Sequence, residues 1–283
     1  MSKTLYITDL DGTLLSADAT LSSLNAERIA SLTARGALIS CATARTPGTV
    51  QKLMAPARLS VPAIVMTGAA MWTINTAHPR FENIHFIPTG NCAVLDHLFA
   101  EARVTPFVYN IDPEDSVTPI SFHFAAEHMS DAEKNFAKTR SHLELKRFVH
   151  DSRPSDTDSR VLYFAMGPEA SVVPLAEAIA RMTDCAFSSY PDNYNPGLHL
   201  LEVFAPGVSK AAALRKLAAS TGAERTVVFG DNLNDLPMMA CATLSVAAPG
   251  ALPEVKERAD IVLKPSPTAV ADFMAADFEE NRL

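Results

Sequence analysis

The chain has 283 residues, enough for one large domain or two smaller ones. Hydrophobic residues make up 48% and charged residues 20%, which is typical of globular proteins. The net charge of −8 argues against binding to nucleic acid or to an anionic membrane, although a metal could still attract an anionic substrate. No stretch resembles a signal peptide or approaches the ~18 apolar residues of a membrane span, and the four cysteines form no C-x-x-C pair. We therefore expect a cytoplasmic protein with reduced thiols.

Strands and helices alternate in the first part of the chain. Residues 3–8 read as an apolar strand and residues 21–34 as a helix. Two further strands are predicted at 37–42 and 61–66, with Pro47 suited to the first position of a helix between them. This order predicts a parallel sheet with right-handed crossovers.

The middle of the chain has a different pattern. Helices are predicted at 90–103, 131–148 and 169–182, and the segments between them alternate apolar and polar residues. Alternation is typical of strands with one solvated face, as in antiparallel sheets. We predict an inserted α+β domain over residues 82–187.

The last part returns to the first pattern, with strands at 198–204 and 225–229 and a helix at 209–220. Residues 1–81 and 188–283 are therefore predicted to form one α/β core with a doubly wound, Rossmann-like parallel sheet.

Acidic residues follow two of the predicted core strands. Asp9 and Asp11 come directly after the first strand, and Asp231 and Asp235 follow the strand at 225–229. If the first strand continued, residues two apart would share a side, so Asp9 and Asp11 would crowd together. Carboxylates gathered at the carboxyl ends of parallel strands would suit a hard cation such as Mg²⁺. Other polar residues at strand ends or a helix start are Thr43, Arg45, Thr67 and Lys210.

These segments resemble the sequence motifs of the haloacid-dehalogenase-like (HAD) hydrolases. Asp9-Leu10-Asp11-Gly12-Thr13 matches the D-x-D-G-T signature of that family. Thr43 resembles its second motif, Lys210 its third and residues 230–235 its fourth, all in the family's order. The insertion between the second and third motifs is similar to the C2B cap of the Cof-type subgroup.

The resemblance implies a role for each acid. Asp9 would be the nucleophile that forms an aspartyl-phosphate, and Asp11 would be the general acid and then the base. Mg²⁺ would be bound by the side chains of Asp9 and Asp231 and by the backbone carbonyl of Asp11. Asp235 would lie nearby as a further ligand.

The resemblance also implies a phosphate site. Thr43 would hydrogen-bond a phosphoryl oxygen, and Lys210 would neutralise the aspartate and the phosphate. Arg45 would either reach the substrate or pair with a core acid. Thr67 stands where Cof-type proteins usually have Asn, which removes an amide donor. The predicted phosphate-binding residues are Leu10, Gly12, Thr43, Ala44, Arg45, Lys210 and Asn234.

The function that follows is a Mg²⁺-dependent phosphatase acting on small phosphorylated metabolites, with sugar phosphates first among them. One alternative is a phosphosugar mutase on the same core, and others are a phosphoacceptor signalling domain or a non-catalytic phosphometabolite-binding protein. We expect a monomer or homodimer with no nucleic-acid or membrane partner. Candidates for contacts to the rest of the substrate are Tyr109, Asn110, His123, Arg160, Tyr190, Asp192, Asn193 and Tyr194, although a structural role is the simpler interpretation of each.

Overall fold

A computed structural model describes residues 3–112, 114, 115, 117–122, 129–150, 158–192 and 195–281. The chain divides into two compact units. The first unit comprises Met1–Asn83 and Ser209–Leu283, and the second comprises Ile84–Val208. Within the described residues, each helix is too short or too polar to cross a lipid bilayer.

The first unit is built on a five-stranded parallel sheet with the strand order β14-β13-β12-β1-β2. A small antiparallel sheet, β3-β4-β5, joins it through a parallel bridge between Ala42 and Ile64. The N-terminal elements of this unit are β1 (Thr4–Thr8), α1 (Ser23–Ala34), β2 (Leu38–Cys41), α2 (Pro47–Met54), β3 (Ala63–Val65), β4 (Ala70–Trp72) and β5 (Phe81–Glu82).

The second unit contains a six-stranded sheet with the order β10-β11-β9-β6-β7-β8, antiparallel except for the β7–β8 pair. Its elements are α3 (Thr89–Ala102), β6 (Phe107–Asn110), β7 (Thr118–Phe122), α4 (Asp131–Arg140), β8 (Lys146–His150), β9 (Arg160–Pro168), α5 (Glu169–Met182), β10 (Ala186–Pro191) and β11 (Leu198–Phe204). The chain then returns to the first unit with α6 (Lys210–Thr221), β12 (Arg225–Gly230), α7 (Leu236–Met239), β13 (Leu244–Ala247), α8 (Pro253–Arg258), β14 (Ile261–Val262) and α9 (Ala269–Glu280).

The side chains of successive residues in β1 point to opposite faces of the parallel sheet. Leu5 and Ile7 are fully buried in a core shared with α6 and α7. Tyr6, between them, points to the other face and bonds to Asp277 of α9. A strand that is buried on both faces reads as a continuous apolar run, as β1 does. The predicted fold class, a doubly wound α/β core with an inserted α+β unit, is confirmed.

Two predictions about individual elements are wrong. The predicted core strand at 198–204 is instead β11 of the second unit, where it pairs with β9 and β10, so that unit extends to Val208 rather than 187. The helix predicted at 131–148 ends at Arg140. Residues Lys146–His150 instead form β8, which pairs with β7. Leu145, directly before β8, has a left-handed φ of 62°.

A buried polar network attaches α9 to the parallel sheet. The Tyr6 hydroxyl donates to Asp277 Oδ2 at 2.7 Å, and Arg225 donates to both Asp277 oxygens at 2.6 and 2.8 Å. Burial, and then the Asp277 hydrogen bond, raise the pKa of Tyr6 above its ordinary value. Because Tyr6 and Asp277 are buried, neither can exchange its partner for water without opening the core.

We expect Asp277→Ala to lower the free energy of unfolding by about 3 kcal/mol, because it leaves the Tyr6 hydroxyl and the Arg225 charge without their acceptor. Glu279→Ala is the matched control, since Glu279 lies on the same helix but pairs with Arg35 at the surface. That control should cost less than about 1 kcal/mol. Urea unfolding measures both values, and equal costs would contradict the argument.

Candidate active site

Three of the four acids predicted for the site, Asp9, Asp231 and Asp235, meet where β1 and β12 end. These strands are parallel neighbours, and the Asp9 amide donates to the Phe229 carbonyl at 2.9 Å as the pairing ends. Asp9 follows β1, and Asp231 follows β12. Their side chains therefore leave the same edge of the sheet, at the carboxyl ends of its strands, where open α/β sheets bind ligands.

Lys210 reaches the same place from the first turn of α6. Ser209 caps this helix by accepting a bond from the Ala212 amide at 3.1 Å. The Lys210 side chain is only 3% exposed, and Nζ lies 2.5 Å from Asp9 Oδ1 and 2.8 Å from Asp235 Oδ1. Burial alone would lower the pKa of Lys210, but the charges of Asp9 and Asp235 outweigh it and raise that pKa above its ordinary value.

Asp235 supports both the lysine and the turn that carries Asp231. Its Oδ1 accepts from Lys210, whereas Oδ2 accepts from the backbone amides of Asp231 and Asn232 at 3.1 and 3.2 Å. The side chain is fully buried. Because both of its oxygens already accept hydrogen bonds, Asp235 supports the Lys210 ammonium and the turn that carries Asp231.

Two residues of the first motif, Gly12 and Thr13, set the orientation of the Asp231 carboxylate. Thr13 Oγ1 donates to Asp231 Oδ1 at 2.8 Å, a contact between the first and fourth motifs that the sequence does not predict. Gly12 adopts a φ of 82°, and a Cβ at this position would lie 2.3 Å from Asp231 Oδ2. Glycine is needed here both for the backbone conformation and for the close approach of the carboxylate.

The charge of this cluster is unbalanced. Asp9, Asp231 and Asp235 each offer an oxygen within 4.8 Å of the others, the one such group that the described residues contain. Burial, with a smaller contribution from the charge of Asp235, raises the pKa of Asp9 to about 7 and that of Asp231 to about 6. Lys210 opposes this rise in pKa at Asp9, and the Thr13 hydrogen bond opposes it at Asp231. Three carboxylates face one lysine, so the oxygen donors present fit a hard divalent cation.

Asp11 is not part of this group. The backbone leaves the extended conformation after Asp9, so Asp11 does not point with Asp9 as a continued strand would require. The Asp11 side chain is 48% exposed, and Arg45 binds it through Nε at 2.8 Å and Nη2 at 2.5 Å. Of the two interpretations of Arg45, the structure shows the ion pair with a core acid.

Thr43 is buried in the turn that follows β2. Its hydroxyl accepts from the Arg45 amide at 3.1 Å, and its carbonyl accepts from the Thr67 amide at 3.0 Å. Thr67 belongs to a loop, residues 66–68, in which three successive φ angles are left-handed at 48°, 57° and 100°. A Cβ on Gly68 would lie 2.5 Å from the Ser209 carbonyl, so this loop packs directly against the start of α6.

The other predicted phosphate-binding residues lie in the same turns. Leu10 is buried after β1, and Ala44 is exposed between Thr43 and Arg45. Asn234 is exposed in the short 3₁₀ turn Leu233–Asp235. Their phosphate contacts stay predictions.

Five of the candidate substrate residues lie in the described part of the second unit. Arg160 is buried and donates to both Asp96 oxygens at 2.8 and 2.9 Å, which gives it a structural role. Asn110 bonds Ser121 within the sheet at 3.2 Å. Tyr109 is buried in β6, and Tyr190 and Asp192 lie at the end of β10. His123, Asn193 and Tyr194 lie outside the described residues.

Comparison with known proteins identifies the family. Residues 6–274 match the family described as haloacid dehalogenase-like hydrolase, so the chain belongs to that family. It is 25% identical to the Bacillus subtilis 5-amino-6-(5-phospho-D-ribitylamino)uracil phosphatase YitU over 90% of each chain. The predicted enzyme class, a phosphoric monoester hydrolase of this family, agrees with the family match and with the phosphatases among its relatives.

Solved structures share the fold over nearly the whole chain. A haloacid dehalogenase-like hydrolase from Bacteroides thetaiotaomicron has a TM-score of 0.77 at 20% identity, covering 98% of this chain and 100% of that one. The HAD subclass IIB sugar phosphatase BT4131 has a TM-score of 0.72 at 19% identity, covering 98% and 99%.

We expect Gly12→Ala to weaken Mg²⁺ binding, because its Cβ would displace the Asp231 carboxylate. Gly36→Ala is the matched control: Gly36 also has a left-handed φ, of 96°, but its Cβ would meet open space. Each change should cost about 1–3 kcal/mol of stability through backbone strain. Calorimetric titration with Mg²⁺ should separate them, and equal Mg²⁺ affinities would contradict the role given to Gly12.

Proposed function

We propose that this hydrolase is a Mg²⁺-dependent phosphatase of small phosphorylated metabolites, sugar phosphates first among them, that works through an aspartyl-phosphate on Asp9. The observation that carries the proposal is the buried ion pair of Asp9 and Lys210, 2.5 Å apart and beside Asp231. The lysine favours the ionised, nucleophilic form of Asp9 against the effect of burial.

The reaction has two halves. An oxygen of Asp9 attacks phosphorus, the bond from phosphorus to the ester oxygen breaks, and that oxygen takes a proton from Asp11. Asp11 then removes a proton from a water, which attacks the same phosphorus. The bond between Asp9 and phosphorus breaks, and inorganic phosphate leaves with Asp9 and Asp11 restored.

The residues around Asp9 bind and orient the phosphate. The Lys210 ammonium offsets the negative charge shared by nucleophile and phosphoryl group. Thr43 has its hydroxyl oxygen accepting from Arg45, so the hydroxyl hydrogen is available to a phosphoryl oxygen. Backbone amides of the turns after β1 and β2, together with Asn234, would complete the donor set.

Asp9, Asp231 and the backbone carbonyl of Asp11 would hold Mg²⁺, with Asp235 behind them. The fit of this donor set rests on three carboxylates that offer oxygens within 4.8 Å of one another, while a single lysine pairs with only two of them. When bound, Mg²⁺ supplies positive charge that lets an anionic nucleophile approach an anionic phosphate. The raised pKa values of Asp9 and Asp231 support the same conclusion, since a cation would relieve the crowding of acids.

Two findings support a polyhydroxylated substrate. The relative YitU is named for a phosphate ester of a ribityl chain, and BT4131 is described as a sugar phosphatase. Both names describe a phosphate on a small polyol or sugar. The four free cysteines, three of them buried, support a reducing compartment such as the cytoplasm.

A phosphate-release screen tests the reaction and its metal. We expect turnover of hexose phosphates or of 5-amino-6-(5-phospho-D-ribitylamino)uracil with Mg²⁺, and loss of turnover in EDTA that added Mg²⁺ restores. Product analysis completes the test. An isomerised phosphosugar without free phosphate would overturn the hydrolase in favour of a mutase, and full activity in EDTA would overturn the metal.

Asp9→Asn should abolish turnover while keeping the fold, because it removes the nucleophile at nearly constant volume. Phosphate release and thermal melting measure the two properties. The control is Asp18→Asn, an exposed acid that bonds only Ser16 and Thr20 among its described contacts, which should keep full activity. Full activity of Asp9→Asn would refute the mechanism.

A further inference from the structure

The backbone of Arg45 is fixed by two hydrogen bonds. Its amide donates to Thr43 Oγ1 at 3.1 Å, and its carbonyl accepts from the Met66 amide at 3.0 Å. Met66 makes that bond from a left-handed conformation with a φ of 48°. The backbone from which the guanidinium extends is therefore fixed on both sides, by the β2 turn and by the loop at 66–68.

Asp11 is less constrained by its surroundings. It lies in a turn between Asp9 and Gly12, its φ and ψ interrupt the helical turn there, and half of its side chain is exposed. The described contact that orients its carboxylate is the two-point ion pair with Arg45, at 2.8 and 2.5 Å. Two parallel N–H to oxygen bonds fix both the position and the plane of a carboxylate, which one bond cannot do.

We propose that Arg45 is a positioning residue that holds the Asp11 carboxylate in the orientation from which it exchanges protons with the substrate oxygen and with water. The inference rests on the proposed phosphatase function. Arg45 then acts through Asp11 rather than by binding the phosphate itself. The fork geometry explains why arginine serves here, because lysine offers a single point of charge.

The charge arrangement favours this role over a phosphate-binding one. Lys210 already lies 2.5 Å from the nucleophile, whereas Arg45 directs Nε and Nη2 at Asp11. A guanidinium that turned to the phosphate would release the carboxylate that must meet the leaving oxygen. The two acids of the first motif thus have separate cationic partners.

A double-mutant cycle tests the inference, because two residues that act through one another show non-additive effects. Arg45→Met and Asp11→Asn are compared singly and together, with 4-nitrophenyl phosphate and the best alkyl phosphate of the screen. We expect Arg45→Met to lower kcat about 10- to 100-fold with little change in KM, as misplacement of a reacting group does. Asp11→Asn should lose about 10²–10⁴-fold, and Arg45→Met should add no further loss to it.

Two further measurements exclude a merely structural effect. Arg45→Met should slow the alkyl phosphate more than the aryl phosphate, because the nitrophenolate leaves with less need of a proton. Arg45→Lys should fall between Arg45→Met and the unaltered enzyme, and it replaces Arg45→Met in the cycle if that variant does not fold. The control is Arg80→Met, which removes a surface pair with Glu82 at 3.1 Å and should leave kcat unchanged.

Several outcomes would overturn the inference. These are multiplicative losses in the double variant, a rise in KM at unchanged kcat, equal losses for both kinds of substrate, or an equal loss in Arg80→Met. If the unaltered enzyme released no phosphate from any substrate, the proposed function itself would fail, and the inference would fall with it.

Discussion

The site depends on a lysine that is buried between two carboxylates. An ammonium group that is 3% exposed is stable only if its charge is matched, and Asp9 and Asp235 supply the match from two separate strand ends. Lys210 comes from a third segment, at the start of α6. This one contact therefore requires β1, β12 and α6 to meet, and it brings together parts of the chain that lie 201 and 25 residues from Lys210.

The backbone around this contact is arranged to keep it in place. Three consecutive left-handed residues, Met66 to Gly68, connect the β2 turn to the start of α6. Residues other than glycine rarely adopt such a φ, β-branched threonine least of all, so Met66 and Thr67 each store strain of about 1–3 kcal/mol. Two hydrogen bonds maintain this conformation. The Met66 amide donates to the Arg45 carbonyl, and the Thr67 amide donates to the Thr43 carbonyl. Asparagine tolerates a left-handed φ better, which gives a physical meaning to the Asn that Cof-type proteins usually carry there.

The sequence was most informative where a local rule sets the structure. Apolar runs that end in acids predicted both the parallel strands and the edge at which their side chains gather, and Asp9 and Asp231 lie there. It was least informative where a choice depended on distant partners. Residues 198–204 have the same apolar character whether they pair in one sheet or another, and only the contacts with β9 and β10 decide. Likewise, the residues after Arg140 have the local pattern of a helix, but Lys146–His150 form a strand because they pair with β7.

Asp9 and Asp11 are two positions apart in the sequence, but their side chains differ in burial and in cationic partner. A continued strand would have crowded them on one side, but the backbone turns at Leu10, between the two acids, and their surroundings diverge. Asp9, the proposed nucleophile, is buried against Lys210, whose charge favours the ionised carboxylate against the effect of burial. Asp11, the proposed proton carrier, is half exposed against Arg45 and is therefore accessible to solvent. A nucleophile needs a fixed position and a sustained charge, and a proton carrier needs access to water. In the proposed mechanism, the different cations and the different burial of the two carboxylates would provide both from one short turn.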